Sequence, residues 1–211
     1  MVNYKTVAEE ASAEQIIEKS KFIGYIRSVE SRDEAEAFIK EIRTMHKNAT
    51  HNVPAYIIGE KSQLQWASDD GEPSGTSGAP MLHLLAGEGI TNVVIVVTRY
   101  FGGIKLGTGG LVRAYTGTAR LALEAAGLCE VREFDMISFG IDYSYYGKIQ
   151  NMEQSGLFKI TDSAFEENIK LTLQSDPESI EHILKALSEM TGGACSGDKI
   201  KIEKKSGKIK I

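Results

Sequence analysis

Two glycine-dense segments, one acidic and one basic, hold most of the residues in this chain that could do chemistry. The first runs Asp69-Asp70-Gly71-Glu72-Pro73-Ser74-Gly75-Thr76-Ser77-Gly78-Ala79-Pro80; the second runs from Thr98 through Arg99-Tyr100-Phe101-Gly102-Gly103-Ile104-Lys105-Leu106-Gly107-Thr108-Gly109-Gly110 to Arg113. Ordered glycine costs conformational entropy, so such loops persist where the backbone takes positive φ or comes close to a ligand or partner. No acid occurs between Glu88 and Glu124, while Arg99, Lys105, Arg113 and Arg120 all do. Where a helix begins at Gly107 to Gly110, its unpaired N–H groups and dipole favour a phosphate or carboxylate. Arg99, Tyr100, Lys105, Gly107, Thr108, Gly109, Gly110 and Arg113 are therefore the candidate RNA- or anion-binding residues. His51, Asp69, Asp70 and Glu72 are the candidates for ordering the opposed loop, with Arg99 or Lys105 expected to approach the acids.

Other chemistries fit less well. Gly107-Thr108-Gly109-Gly110 lacks the last glycine of a dinucleotide fingerprint, and no Gly-Lys-Ser/Thr closes a P-loop, so no nucleotide cofactor or ATP-driven step is implied. Asp69, Asp70 and Glu72 could ligate magnesium or calcium but lack the spacing of an EF-hand loop, and no metal is expected. Ser74 or Ser77 with His51 and Asp70 supplies the residue types of a hydrolase triad without a Gly-x-Ser-x-Gly elbow. His46 and His51 follow a helix and can cap carbonyls or order a turn; His83 and His182 read as structural or solvated. Cys129 and Cys195 have no metal or disulfide spacing and read as reduced structural thiols.

The elements that must position these loops follow from periodicity. With 211 residues, 42% of them hydrophobic, the chain can bury a core, and its net charge of −5 argues against a protein that coats nucleic acid with its whole surface. Residues 14–19 and 22–29 read as a hairpin about Ser20-Lys21, with Ile16, Phe22, Ile26 and Val29 inward. Ser31 with Glu34 opens a helix whose inner face is Ala35, Phe38, Ile39, Ile42 and Met45, ending near His46. Residues 53–59 and 63–68 form a second hairpin, residues 77–87 a short helix, residues 92–98 a central strand, and residues 108–126 a long helix closed by Gly127. After a linker at residues 132–135 the pattern restarts as βαββαβ, its last helix begun by Asp176 and Pro177. The expected domains are 1–132 and 135–211. Six lysines against Glu203 from Lys199 to Lys210 suit a solvated edge strand, or a contact with RNA phosphates. Neither a secretory apolar core nor a membrane-spanning run is present, and the protein is expected in the cytoplasm.

His46, the stretch Asn48-Ala49-Thr50-His51-Asn52, the acidic loop, and Val97-Thr98-Arg99-Tyr100-Phe101-Gly102-Gly103-Ile104-Lys105-Leu106-Gly107 together resemble the YigZ/IMPACT family, over residues 15 to 125. The resemblance implies an α+β fold: a first domain like the second domain of ribosomal protein S5, then a ferredoxin-like βαββαβ domain like that of the bacterial members. The pair is similar to the fourth and fifth domains of elongation factor G, which work on the ribosome and transfer RNA. Eukaryotic IMPACT proteins are implicated in translational control, but carry an RWD domain with no counterpart in these residues. The family supplies no catalytic residue to carry over.

The leading expectation is a translation-linked regulator that binds RNA or a ribosomal surface through the basic loop. Two rivals use the same residues: a small-molecule hydrolase with its cleft between the loops, and a protein-interaction module without RNA.

Overall fold

Five successive aliphatic residues, Val93 to Val97, leave no face of their strand for water, so the strand must be covered on both sides. The computed structural model describes residues 2–193, 195 and 199–211, and shows how this is done. Its elements are β1 (Val2–Val7), β2 (Ala11–Ile17), β3 (Ser20–Ser28), α1 (Arg32–Met45), β4 (His51–Ile58), β5 (Leu64–Ala67), α2 (Gly78–Gly87), β6 (Val93–Tyr100), α3 (Gly107–Ala126), β7 (Leu128–Ile141), α4 (Tyr143–Glu153), β8 (Phe158–Phe165), β9 (Ile169–Ser175), α5 (Ile180–Met190) and β10 (Ile200–Lys210). Strand β6 is central in a sheet of order β2-β3-β6-β4-β5. Alternation along the strand sends Val93, Ile95 and Val97 into a core with Met81 and Leu85 of α2 and Leu111, Tyr115 and Ala119 of α3. Val94 and Val96 point the other way, against Phe38, Ile39 and Ile42 of α1.

Helix α1 begins as expected: Ser31 Oγ accepts from Glu34 N at 3.2 Å, although the Glu34 carboxylate returns to the N–H of Glu30, at 2.8 Å. The first hairpin differs from its expectation. Its turn is Glu18-Lys19, both at positive φ (45° and 65°), and Ile17 pairs with Ser20. Parity then carries Ile17 toward the core and leaves Ile16 73% exposed, not inward. Met45, also expected to face inward, is exposed. The opening residues form β1, which periodicity did not reveal.

Strands β7, β8, β9 and β10 with α4 and α5 follow the βαββαβ order, and β10 pairs β7, which pairs β9, which pairs β8, the ferredoxin-like arrangement. Their core is built on Ile137, Leu171 and Leu173 from the sheet with Ile149, Ile183 and Leu187 from the helices. A 3₁₀ turn at Pro177–Ser179 precedes α5, and Asp176 makes no side-chain cap there. Contacts divide the chain into two units, Asn3–Val131 with Lys208–Ile211, and Arg132–Gly207 with Val2. The expected linker at 132–135 is instead interior to β7, where Asp135 pairs with Ser175, and the end of the lysine-rich tail groups with the first unit.

Candidate functional site

Strand register places three side chains in one row. Arg99 on β6 faces Phe22 on β3 and His51 on β4, and parity puts the row on the sheet face that α2 and α3 cover. Tyr100, one residue on, points to the α1 face, where its hydroxyl lies 2.9 Å from His46 Nδ1. That geometry takes Tyr100 out of the candidate set. His46 Nε2 lies 2.7 Å from the Tyr25 hydroxyl, so its ring joins two tyrosines instead of capping carbonyls; burial, then Lys21, lowers its pKa.

Glu72 is the hub of the other face. Its Oε1 accepts from Arg99 Nη1 and from the Tyr115 hydroxyl, both at 2.7 Å, and lies 3.8 Å from His51 Nε2. The Arg99 and Glu72 side chains are 6% and 4% exposed. A buried pair of this kind persists because either charge alone would be costly to keep out of water. Arg99 Nη2 reaches Ser20 Oγ at 3.4 Å, the same oxygen accepts from Gly102 N at 3.1 Å, and Arg99 Nε has no hydrogen-bond partner among the described residues. A Cβ on Gly102 would overlap the Lys19 carbonyl, so this close approach requires glycine. Burial, then the hydrogen bond to Glu72, pushes the Tyr115 phenol far above its ordinary pKa.

The rest of the acidic loop is held by its own carboxylates. Asp70 takes a left-handed φ of 46°, accepts from Asn52 N at 2.7 Å and from Arg43 Nη2 at 2.8 Å, and presents its carbonyl to His51 Nδ1 at 2.8 Å. Asp69 Oδ1 accepts from Ser77 N, Ser77 Oγ and Gly78 N at 3.1, 2.7 and 2.9 Å, and Oδ2 accepts from Gly75 N at 2.7 Å. Ser77 is thus engaged with Asp69, and His51 meets Asp70 at its main-chain carbonyl and not at its carboxylate; among the described residues neither Ser74 nor Ser77 is hydrogen-bonded to His51, so the hydrolase triad is not assembled. No group of three His, Cys, Asp or Glu among those residues is arranged to hold a metal.

Between the two loops lies a cleft of about 460 Å³. Its polar wall is Thr50, His51, Glu72 and Arg99; its apolar wall is Pro73, Phe101, Leu106 and Leu111; Lys105, Gly107 and Thr108 complete the rim. Helix α3 starts at this rim with Leu106 in the N-cap position and, among the described residues, no side-chain cap for its first N–H groups. Gly110 and Arg113 lie outside the cleft, lining with Lys105 a neighbouring one of about 430 Å³. Gly109 sits under Arg113: a Cβ there would be 3.6 Å from Nη1. The four cations of the acid-free stretch are not four free charges. Arg99 is spent on Glu72 and Arg120 on Glu88 at 3.0 Å, which leaves Lys105 and Arg113 without an ion-pair partner among the described residues.

The site residues that sequence reasoning missed are Tyr115 and Ser20. Tyr115 falls on the inner face of α3 and reads as core, yet a buried phenol requires a partner, and that requirement was the available signal. Nothing in the sequence distinguishes Ser20.

Comparison with known proteins gives concordant matches along the chain. The Impact N-terminal domain family matches residues 18–123, and a domain of unknown function, DUF1949, matches residues 139–194. IMPACT family member YvyE of Bacillus subtilis (strain 168) is 40% identical over 191 residues, covering 90% of this chain and 88% of its own. IMPACT family member YigZ of Escherichia coli (strain K12) is 45% identical over 120 residues, 56% of each chain. A crystal structure described only as a hypothetical protein shares 29% identity over 96% of this chain and 97% of its own, with a TM-score of 0.60. The two-domain translational regulator Yih1 matches 58% of this chain and 46% of its own at 28% identity, with a TM-score of 0.35, too low to bear on the fold. No helix among the described residues is long and apolar enough to cross a membrane.

Proposed function

Because this chain belongs to the IMPACT family, we propose that it is a translation-linked regulator that binds an RNA strand at the rim of the cleft between its acidic and glycine-rich loops. Membership supports the link to translation through the likeness of the family's domain pair to elongation-factor domains. The observation that carries the RNA reading is the pairing of two uncommitted cations, Lys105 and Arg113, with the uncapped amino end of α3. Helix amino ends and unpaired lysines or arginines attract phosphate. Two cations suit a short stretch of single strand, not a duplex gripped along its length.

The test is binding of a labelled single-stranded RNA, and co-sedimentation with ribosomes, across a range of salt. Each phosphate contacted on a single strand contributes about −0.7 to the slope of log K against log salt, so two predict about −1.4. K105A together with R113A should weaken binding and flatten that slope. A folded double variant that binds like the parent at every salt concentration overturns the reading.

A further inference from the structure

The chemistry of the cleft goes beyond phosphate attraction. We infer that it seats one unstacked nucleobase carrying an exocyclic amine, an inference that rests on the RNA reading above and names what the strand would insert. The cleft's volume of about 460 Å³ falls in the range of small-molecule sites and suits one nucleotide. Its apolar wall includes Phe101, which is 46% exposed, with the Arg99 guanidinium 5.3 Å from its ring centroid. Single-stranded RNA is commonly read by splaying out a base and stacking it on such a ring.

The polar wall decides which base. His51 Nδ1 faces the Asp70 carbonyl, which can only accept, so Nδ1 carries a proton, and in the uncharged form of the ring the lone pair lies at Nε2. Glu72 receives Arg99 and Tyr115 on Oε1, and none of the hydrogen bonds among the described residues falls on Oε2. Two acceptors therefore line one wall of the cleft, the carboxylate and the imidazole, with Nε2 3.8 Å from Oε1. An exocyclic amine brings two N–H donors to such a pair, and carboxylate pairing with the amine of cytosine is an established mode of base recognition. Uracil has no exocyclic amine: it would turn a carbonyl oxygen toward these acceptors, and its single ring N–H could serve only one of them.

The test compares cytidine with uridine, which match in ring size, using the full chain with CMP and UMP and with labelled C and U tetranucleotides. Cytidine should bind about tenfold tighter or more in both forms. F101A, at an exposed position, should lower affinity for CMP severalfold, while K105A should change the salt slope and keep the C-to-U ratio. E72Q should erase the ratio; should that variant fail to fold, the C-to-U contrast of the parent and the F101A titration decide alone. Equal binding of C and U, or a folded F101A that binds CMP like the parent, overturns the inference. Salt-dependent RNA binding without base preference would leave the proposed function standing and remove the base site. CMP preferred over UMP with no binding of RNA or ribosomes would support the base site and remove the proposed function.

Discussion

At Glu72 one carboxylate oxygen satisfies an arginine and a tyrosine, and the energetics follow from what each would lose alone. Removing the carboxylate leaves Arg99, 5% exposed, as an uncompensated charge beside an already unpartnered Nε. E72A should therefore cost about 3 to 5 kcal/mol in urea unfolding, the usual penalty for breaking a buried pair from one side. Replacing both partners, Glu72→Leu with Arg99→Met, should recover part of that loss, because neither charge is then buried while the Tyr115 hydroxyl still lacks its acceptor. A single variant as stable as the parent would show that water reaches Arg99. The residue types at this site were legible early: opposed charge and clustered glycine joined the Arg99 segment to the Glu72 loop. What remained hidden was the commitment of each charge, since sequence shows four cations where the fold leaves two uncommitted.

Helix α2 depends on a cap that comes from outside its own sequence neighbourhood. Ser77, in the N-cap position, makes no side-chain cap, and Asp69 takes the first N–H groups instead. Burial tends to raise the Asp69 pKa, but the bonds from Ser77, Gly75 and Gly78 outweigh it and hold the carboxyl below its ordinary value. A depressed folded pKa means that the stabilisation is complete above the unfolded value, about pH 4, and is lost as pH falls through the lower folded value. The stability gap between the parent and D69A, measured by urea midpoints, should therefore be constant near neutrality and close in acid. A gap that widens on acidification would reverse the sign and sink the assignment. Elements with strong periodicity, α1, β6, α3 and the βαββαβ series, were readable because one face or two must be apolar. The Glu18-Lys19 turn was not, because turns with both central residues at positive φ usually announce themselves with Asn or Gly, and this one has neither.

Across the whole chain, the two units do not correspond to two uninterrupted stretches of sequence. Lys208–Ile211 group with the first unit, where Ile211 N donates to the Leu128 carbonyl at 3.1 Å and Lys208 Nζ reaches Ser28 Oγ at 2.8 Å. Each such bond is worth about 1 kcal/mol. Deleting residues 208–211 should speed amide hydrogen exchange in β1 and at the start of β7, and leave β8 and β9 as protected as before. Equal acceleration in β8 and β9 would contradict this division. Composition could not reveal the return, because a lysine-rich strand looks the same whether it edges one unit or finishes another.

That return also bears on how the protein is made. Translation delivers residues in order, and domains ordinarily fold as they emerge, the first before the second. Here the segment that completes the first unit arrives only after Arg132–Gly207 has been synthesised. A nascent chain halted before Lys208 would carry a first unit whose Leu128 carbonyl still lacks its partner, with part of the β7 edge left open to other strands. The larger unit thus begins to fold first and is finished last.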